Sequence, residues 1–219
     1  MNKILVTGGS GFVGNKLLNR LSESEHPLRL LSRKPSLKHE TICCDLERDS
    51  IPHSVCDSVD TVYHLAGLAP DTRDATQLEQ SYRSINVDAT VHLAQLAAQN
   101  GVKRFVFVSS VKAGGSAVAG DCMSEEDQGE PEGIYGKTKR EAEIKLLEIG
   151  RHSDMHVSIM RPSLVYGPGV KGNLRLMQAG IEKGWFPPLP EVNNRRSMIH
   201  VDDLVQALMF VAEDDRANG

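Results

Sequence analysis

Tyr135 and Lys139 stand four residues apart in Tyr135-Gly136-Lys137-Thr138-Lys139. On a helix that spacing puts both side chains on one face. A tyrosine hydroxyl titrates near about 10 in water, and a neighbouring ammonium stabilises the phenolate and brings that value down. Such a phenol can take or return a proton near neutrality. Ser109-Ser110 closes the apolar run Arg104–Ser109. A serine at a strand end can hydrogen-bond a reacting hydroxyl or carbonyl, or simply cap a turn. A third feature is Thr7-Gly8-Gly9-Ser10-Gly11-Phe12-Val13-Gly14, which follows one apolar run and opens an amphipathic one. Glycines there allow a tight turn and close backbone approach to a pyrophosphate, and the helix start offers N–H groups to it. At the end of the second apolar run stands Ser32-Arg33-Lys34, with no carboxylate. An acidic residue would bind a ribose 2′-hydroxyl and a basic one a 2′-phosphate. Arg33 and Lys34 therefore favour NADP over NAD, unless they are solvated or Arg33 stacks on the adenine.

The elements that must position these groups alternate along the chain. Lys3–Thr7, Leu28–Ser32, Thr41–Cys44, Thr61–Leu65, Arg104–Ser109 and His156–Arg161 read as strands. Phe12–Leu21, Asn173–Lys183 and Val201–Ala212 read as helices, as do a long segment of Gln77–Asn100 closed by Gly101 and Tyr135–Ile149 closed by Gly150. Strand and helix in alternation predict an α/β fold, a doubly wound parallel sheet of Rossmann type. Ala113–Gly133 and Gly167–Asn194 break the rhythm and read as long loops. They leave C-terminal strand ends, where ligands bind in such sheets.

The 219 residues carry a net charge of −4, with 40% hydrophobic and 25% charged residues. That is ordinary globular usage and excludes disordered and fibrous classes. The mild acidity argues against a nucleic-acid partner, whose phosphates need a basic face. No apolar run approaches the roughly 20 residues of a membrane span, and the start reads as a buried strand without a signal peptide, so the cytoplasm is the expected compartment. Cys43, Cys44, Cys56 and Cys122 lack metal or redox spacing and are expected reduced. His152 and His156 flank a helix-to-strand connection, and no metal site is expected there or elsewhere.

Taken together, the glycine pattern, His64-Leu65-Ala66-Gly67, Asn86, Ser110 and Tyr135 with Lys139 resemble the extended short-chain dehydrogenase/reductases, and within them the NAD-dependent epimerase/dehydratase group acting on nucleotide sugars. The 25-residue interval from Ser110 to Tyr135 is similar to theirs. The resemblance implies Ser110, Tyr135 and Lys139 as the catalytic set. It implies cofactor contacts at Gly8, Gly11, Phe12, Val13, Gly14, Arg33, Asp45, Leu46, Leu65, Ala66, Gly67 and Pro162, and again at Tyr135 and Lys139. Asn86 matches a structural helix position.

Arg161-Pro162-Ser163-Leu164-Val165-Tyr166-Gly167-Pro168-Gly169 is similar to the stretch after which these enzymes hold the sugar nucleotide, and Arg196-Ser197-Met198-Ile199-His200-Val201-Asp202-Asp203 resembles their R-x-x-I-H-V-x-D segment. By that likeness Lys112, Asn173 and Arg196 contact substrate, Arg196 gripping a diphosphate; the alternative for Arg196 is an ion pair with Asp202 or Asp203. Ser110 is followed by Val111-Lys112-Ala113 instead of an Asp-Glu pair, which disfavours a dehydratase. The resemblance implies residues 1–166 as a nicotinamide-cofactor domain, 167–200 as part of a small substrate-binding lobe, and 201–219 as a helix returning to the first domain, with the chain expected to be a truncated family member. The expected function is NAD(P)-dependent epimerisation or 4-ketoreduction at C4 of a UDP-hexose. A non-catalytic dinucleotide sensor and a reductase of another small carbonyl compound, such as a flavonoid or sterol, are the alternatives. A homodimer through Gln77–Asn100 and Tyr135–Ile149 follows by analogy only.

Overall fold

A computed structural model describes residues 3–69, 78–116, 123–186 and 196–219. Gln77, Cys122 and Arg195 lie outside the described residues. Six parallel strands make the main sheet: β1 (Lys3–Thr7), β2 (Leu28–Ser32), β3 (Glu40–Cys43), β4 (Val59–His64), β5 (Arg104–Val108) and β6 (His156–Met160). Their order in space is β3-β2-β1-β4-β5-β6. The chain thus starts mid-sheet, works outward to β3, crosses back to β4 and continues the other way. The reversal between β1 and β4 opens a crevice at their C-terminal ends.

Helices among α1 (Phe12–Leu21), α2 (Glu79–Arg83), α3 (Ala89–Gln99), α4 (Val111–Gly114), α5 (Gly133–Arg151) and α7 (Val201–Glu213) cover both faces, while α6 (Asn173–Glu182) contributes to neither core. Successive strand residues point to opposite faces, and the two cores follow that alternation. Leu5, Val62, Phe105 and Phe107 meet Leu93 and Ala97 of α3 and Leu146 of α5. Ile4, Val6 and Val106 meet Leu17 and Leu21 of α1 and Leu204 and Leu208 of α7. Each fully buried Leu or Phe of this kind contributes roughly 1.5–3 kcal/mol. That double burial is why the strands read as continuous apolar runs.

Several details differ from expectation. The long helix within Gln77–Asn100 is interrupted by a wider π turn at Ser84–Asp88, between α2 and α3. Gly101 lies just past α3 with φ 70°, as a helix-ending glycine should. Gly150, however, does not end α5, which runs on to Arg151. A Cβ at Gly150 would stand 2.9 Å from the Val157 side chain, so the glycine lets the helix lie close on β6. Two three-residue strands, β7 (Leu164–Tyr166) and β8 (Met198–His200), pair in parallel as a separate ribbon. Cys43, Cys44 and Cys56 are free thiols, as expected. His152 and His156 go separate ways: one bonds the Glu148 carbonyl at 2.8 Å, the other the Ser158 hydroxyl at 2.6 Å. Among the described residues there is no cluster of metal-ligating side chains and no helix long and apolar enough to cross a membrane.

Candidate active site

The turn after β1 is held by backbone against backbone. Gly8 has φ 70°, and a Cβ there would stand 2.6 Å from the Ala66 nitrogen. A Cβ on Gly14 would meet the Gly8 carbonyl oxygen at 2.2 Å. Gly11 donates its N–H to Gly8 O at 2.9 Å and precedes α1 without any side-chain cap. The first turn of α1, with Phe12 and Val13, therefore keeps N–H groups available for an anion beside the crevice. Gly67 completes the cradle, since a Cβ there would lie 3.0 Å from Lys139 Nζ and 3.1 Å from Asn86 Oδ1. These side-chain-free walls fit the nucleotide cofactor that the sequence predicts.

Beneath the cradle runs a buried polar chain. Thr7 Oγ1 accepts the Ala66 N–H at 3.1 Å and bonds His64 Nδ1 at 2.7 Å, while His64 Nε2 bonds Thr90 Oγ1 at 2.8 Å. His64 is fully buried and stacks on Phe107, and burial pushes its pKa down to about 3. It is therefore a neutral strut at physiological pH. Asn86, on the π turn, clamps the next loop by accepting Leu68 N–H at 2.8 Å and donating to Leu68 O at 3.2 Å and Thr138 Oγ1 at 3.3 Å.

Tyr135 and Lys139 share one face of α5, as predicted. Ser110 caps α4 by accepting the Lys112 N–H at 3.3 Å, so the capping reading of this serine holds, and its hydroxyl favours the charged form of the Tyr135 phenol. A glycine follows Tyr135 for a steric reason: a Cβ at Gly136 would stand 2.4 Å from the Lys112 carbonyl oxygen. Lys139 is buried, donates to Val108 O at 3.0 Å and sits 4.6 Å above the Phe107 ring. Burial lowers its pKa to about 8, against the opposing pull of Glu143. One expectation is overturned. The Tyr135 pKa is raised, not lowered, because desolvation outweighs the pull of the Ser110 hydroxyl. Lys139 spends its charge on the Val108 carbonyl and the Phe107 ring rather than on the phenol.

The remaining predicted residues lie around this centre. Leu65 lines the cradle with Ala66, and Pro162 accepts the Val111 N–H at 3.2 Å beside Ser110. Arg33 is exposed past β2. Asp45, past β3, makes a tight turn, accepting Glu47 N–H at 3.1 Å and donating its own to Asp49 at 2.7 Å; Leu46 packs on the core. Lys112 stands on the rim, its ammonium 3.9 Å from Glu132. Asn173 is the exposed first residue of α6, and Arg196 is exposed two residues before β8. An open cleft of about 820 Å³ is lined by Tyr166, Gly169, Leu174, Arg175, Gln178 and Met198, and neither Asn173 nor Arg196 is part of that lining. Asp202 faces Lys16 at 4.0 Å and His200 at 3.7 Å rather than Arg196.

One group was missed. Glu143, one turn beyond Lys139, is buried and accepts from Arg161 Nε at 2.9 Å, Arg161 Nη2 at 2.5 Å and the Ser109 hydroxyl. Its four-residue spacing from Lys139 was the available signal.

The sequence model of the NAD dependent epimerase/dehydratase family matches residues 4–219. The chain is 33% identical over 222 residues to a UDP-glucose 4-epimerase of Vibrio cholerae, covering 98% of this chain and 67% of that protein. It is 29% identical to a 3-beta-hydroxysteroid dehydrogenase of Mycolicibacterium neoaurum, covering 97% of this chain and 61% of the relative. Among solved structures, MoeE5 in complex with UDP-glucose and NAD superposes with a TM-score of 0.84 at 30% identity, over 99% of this chain and 74% of that one. The chain thus spans roughly two thirds of the length of these relatives.

Proposed function

Because the chain belongs to the NAD-dependent epimerase/dehydratase family, we propose that it is a nucleotide-sugar oxidoreductase acting at C4 of a UDP-hexose. The observation that carries this is Tyr135 and Lys139 one turn apart on α5, with Lys139 Nζ against Gly67 of a glycine cradle at the sheet's switch point. NAD, held by the Gly8–Gly14 turn, Ala66 and Gly67, supplies a hydride acceptor when bound. Ser110 orients the C4 hydroxyl and Tyr135 takes its proton as the C–H bond breaks. Lys139, whose ammonium faces the cradle at Gly67, is suited to holding the cofactor there. Exposed Arg196 and Asn173 are suited to the diphosphate of a sugar nucleotide; a guanidinium fork matches phosphate oxygens. The UDP-glucose epimerase and the UDP-glucose-bound structure support the substrate class.

The test is incubation with UDP-glucose, UDP-galactose and a UDP-4-ketohexose, following product by NMR and reduced nicotinamide by absorbance. Interconversion of C4 epimers without net cofactor change supports an epimerase. Stoichiometric loss of reduced cofactor makes it a 4-ketoreductase, and no turnover of any UDP-sugar refutes the reading. The NAD in MoeE5 favours NAD, whereas Arg33 and Lys34 suit a 2′-phosphate; parallel titrations with both cofactors decide. The steroid dehydrogenase relative favours a second reading, oxidation of a sterol alcohol by the same Ser110, Tyr135 and Lys139. UDP raising the melting temperature counts for the first reading, since a ligand binding only the native state stabilises it; a shift with sterol and none with UDP counts for the second. A homodimer through α3 and α5 belongs to the same proposal, and light scattering tests it.

A further inference from the structure

Four contacts pin the segment Val108–Val111 that carries Ser110. Val108 O accepts the Lys139 ammonium at 3.0 Å. Ser109 N–H donates to Met160 O at 2.8 Å, and Val111 N–H to Pro162 O at 3.2 Å. The fourth contact runs from the Ser109 hydroxyl to Glu143 of α5. Glu143 is only 3% exposed, and Arg161, 21% exposed, grips it through two nitrogens. A buried carboxylate held by a bidentate guanidinium is fixed in direction as well as charge. It therefore joins three elements at one point: α5, which bears Tyr135 and Lys139; the end of β5, which bears Ser110; and the end of β6.

We propose that Glu143 is a positioning residue of the catalytic centre: bridged to Ser109 and Arg161, it fixes Ser110 and Lys139 relative to Tyr135. It touches no reacting atom. Its effect runs through the neighbouring serine and through the lysine one turn back on its own helix. The charged and titratable groups set about Lys139 are Glu143 and, one turn back, Tyr135 of α5 and His64 of β4, with Arg161, just past β6, behind Glu143. Of these, Glu143 is the anion that supports the buried ammonium.

The inference rests on the proposed sugar-nucleotide reading, so one readout is independent of turnover. In the full chain with NAD bound, the Nζ resonance of Lys139 is titrated by ¹⁵N NMR, assigned by its loss in Lys139→Arg. Glu143→Gln is expected to move that titration to lower pH and to reduce kcat for a UDP-hexose at least tenfold, with KM and NAD affinity within about twofold. Glu143→Asp should recover part of both. An unmoved lysine titration, or kcat within twofold of wild type, overturns the proposal; so does a loss of activity that only tracks the folded fraction. If Glu143→Gln does not fold, Glu143→Gln with Arg161→Gln removes the unpaired buried charge and takes its place, with the same expected results. Wild-type protein inactive on every UDP-sugar would refute the sugar-nucleotide reading alone, and the lysine titration would then decide the role of Glu143.

Discussion

The floor of the crevice and the arm beyond β6 are built by opposite means. On the floor, Thr7, His64, Asn86 and Thr90 are all fully buried and interlocked by hydrogen bonds, and the glycine turn leaves no room for even a methyl group. On the arm, α6 buries only Gly180, and Leu176 and Trp185 remain 68% and 65% exposed. Its strands β7 and β8 are three residues each. The floor offers backbone, which suits a ligand that never changes. The arm offers side chains on a lightly anchored segment, which suits the variable ligand proposed above. The proposed chemistry, at Ser110 and Tyr135, belongs to neither.

Four experiments can break or sharpen that contrast. Removing the proposed chemistry should have the largest effect: Tyr135→Phe is expected to cut turnover by ~10²–10⁴-fold while NAD affinity stays within about threefold. Steady-state rates beside a cofactor titration check this, and retention of a tenth of the activity would refute the acid/base role. Acid should next undo the floor. His64 is held neutral down to about 3 when folded, against 6.5 as the ordinary value. Below that ordinary value the unfolded chain binds a proton that the folded chain does not, so stability falls as pH drops. The slope is about 1.4 kcal/mol per pH unit until the folded pKa is reached. Denaturant midpoints at a series of pH values measure it, and a flat profile between pH values of about 6 and 4 would show that His64 charges in place.

Overfilling the turn comes third. Gly14→Val puts a side chain against the Gly8 carbonyl, and overpacking of this kind costs about 1–3 kcal/mol or more. Both melting temperature and NAD affinity should fall, and normal values for both would mean the turn can open. The arm should respond more mildly. Arg196→Ala is expected to raise KM for a UDP-sugar by roughly tenfold, the order of one charge-assisted hydrogen bond, with stability and NAD affinity unchanged. If cofactor binding falls equally, floor and arm are one unit.

Sequence legibility divides along the same line. β1, β2 and α1 begin and end at the residues expected, because glycines, charges and the switch from continuous to amphipathic apolar pattern mark them locally. The π turn at Ser84–Asp88 has no such local mark; its one buried polar residue, Asn86, finds its partner in distant Leu68. β7 and β8 pair across more than thirty residues with only three residues each, too few for a period to register. Glu143 looked like one more charge on an amphipathic helix, and only its distant partners Ser109 and Arg161 reveal it as buried. The raised Tyr135 pKa was missed for a related reason: spacing tells which charges are near, while desolvation depends on the whole enclosure.

The contact between the Gly8 turn and the Leu65–Ala66 backbone has one more consequence. Because the two loops close on each other through their own main chain, conformational freedom at this end of the crevice is given up during folding instead of on nucleotide binding. Affinity for the nucleotide is then gained without an ordering penalty, and association should be a single fast step with no slow closing phase at this end of the crevice.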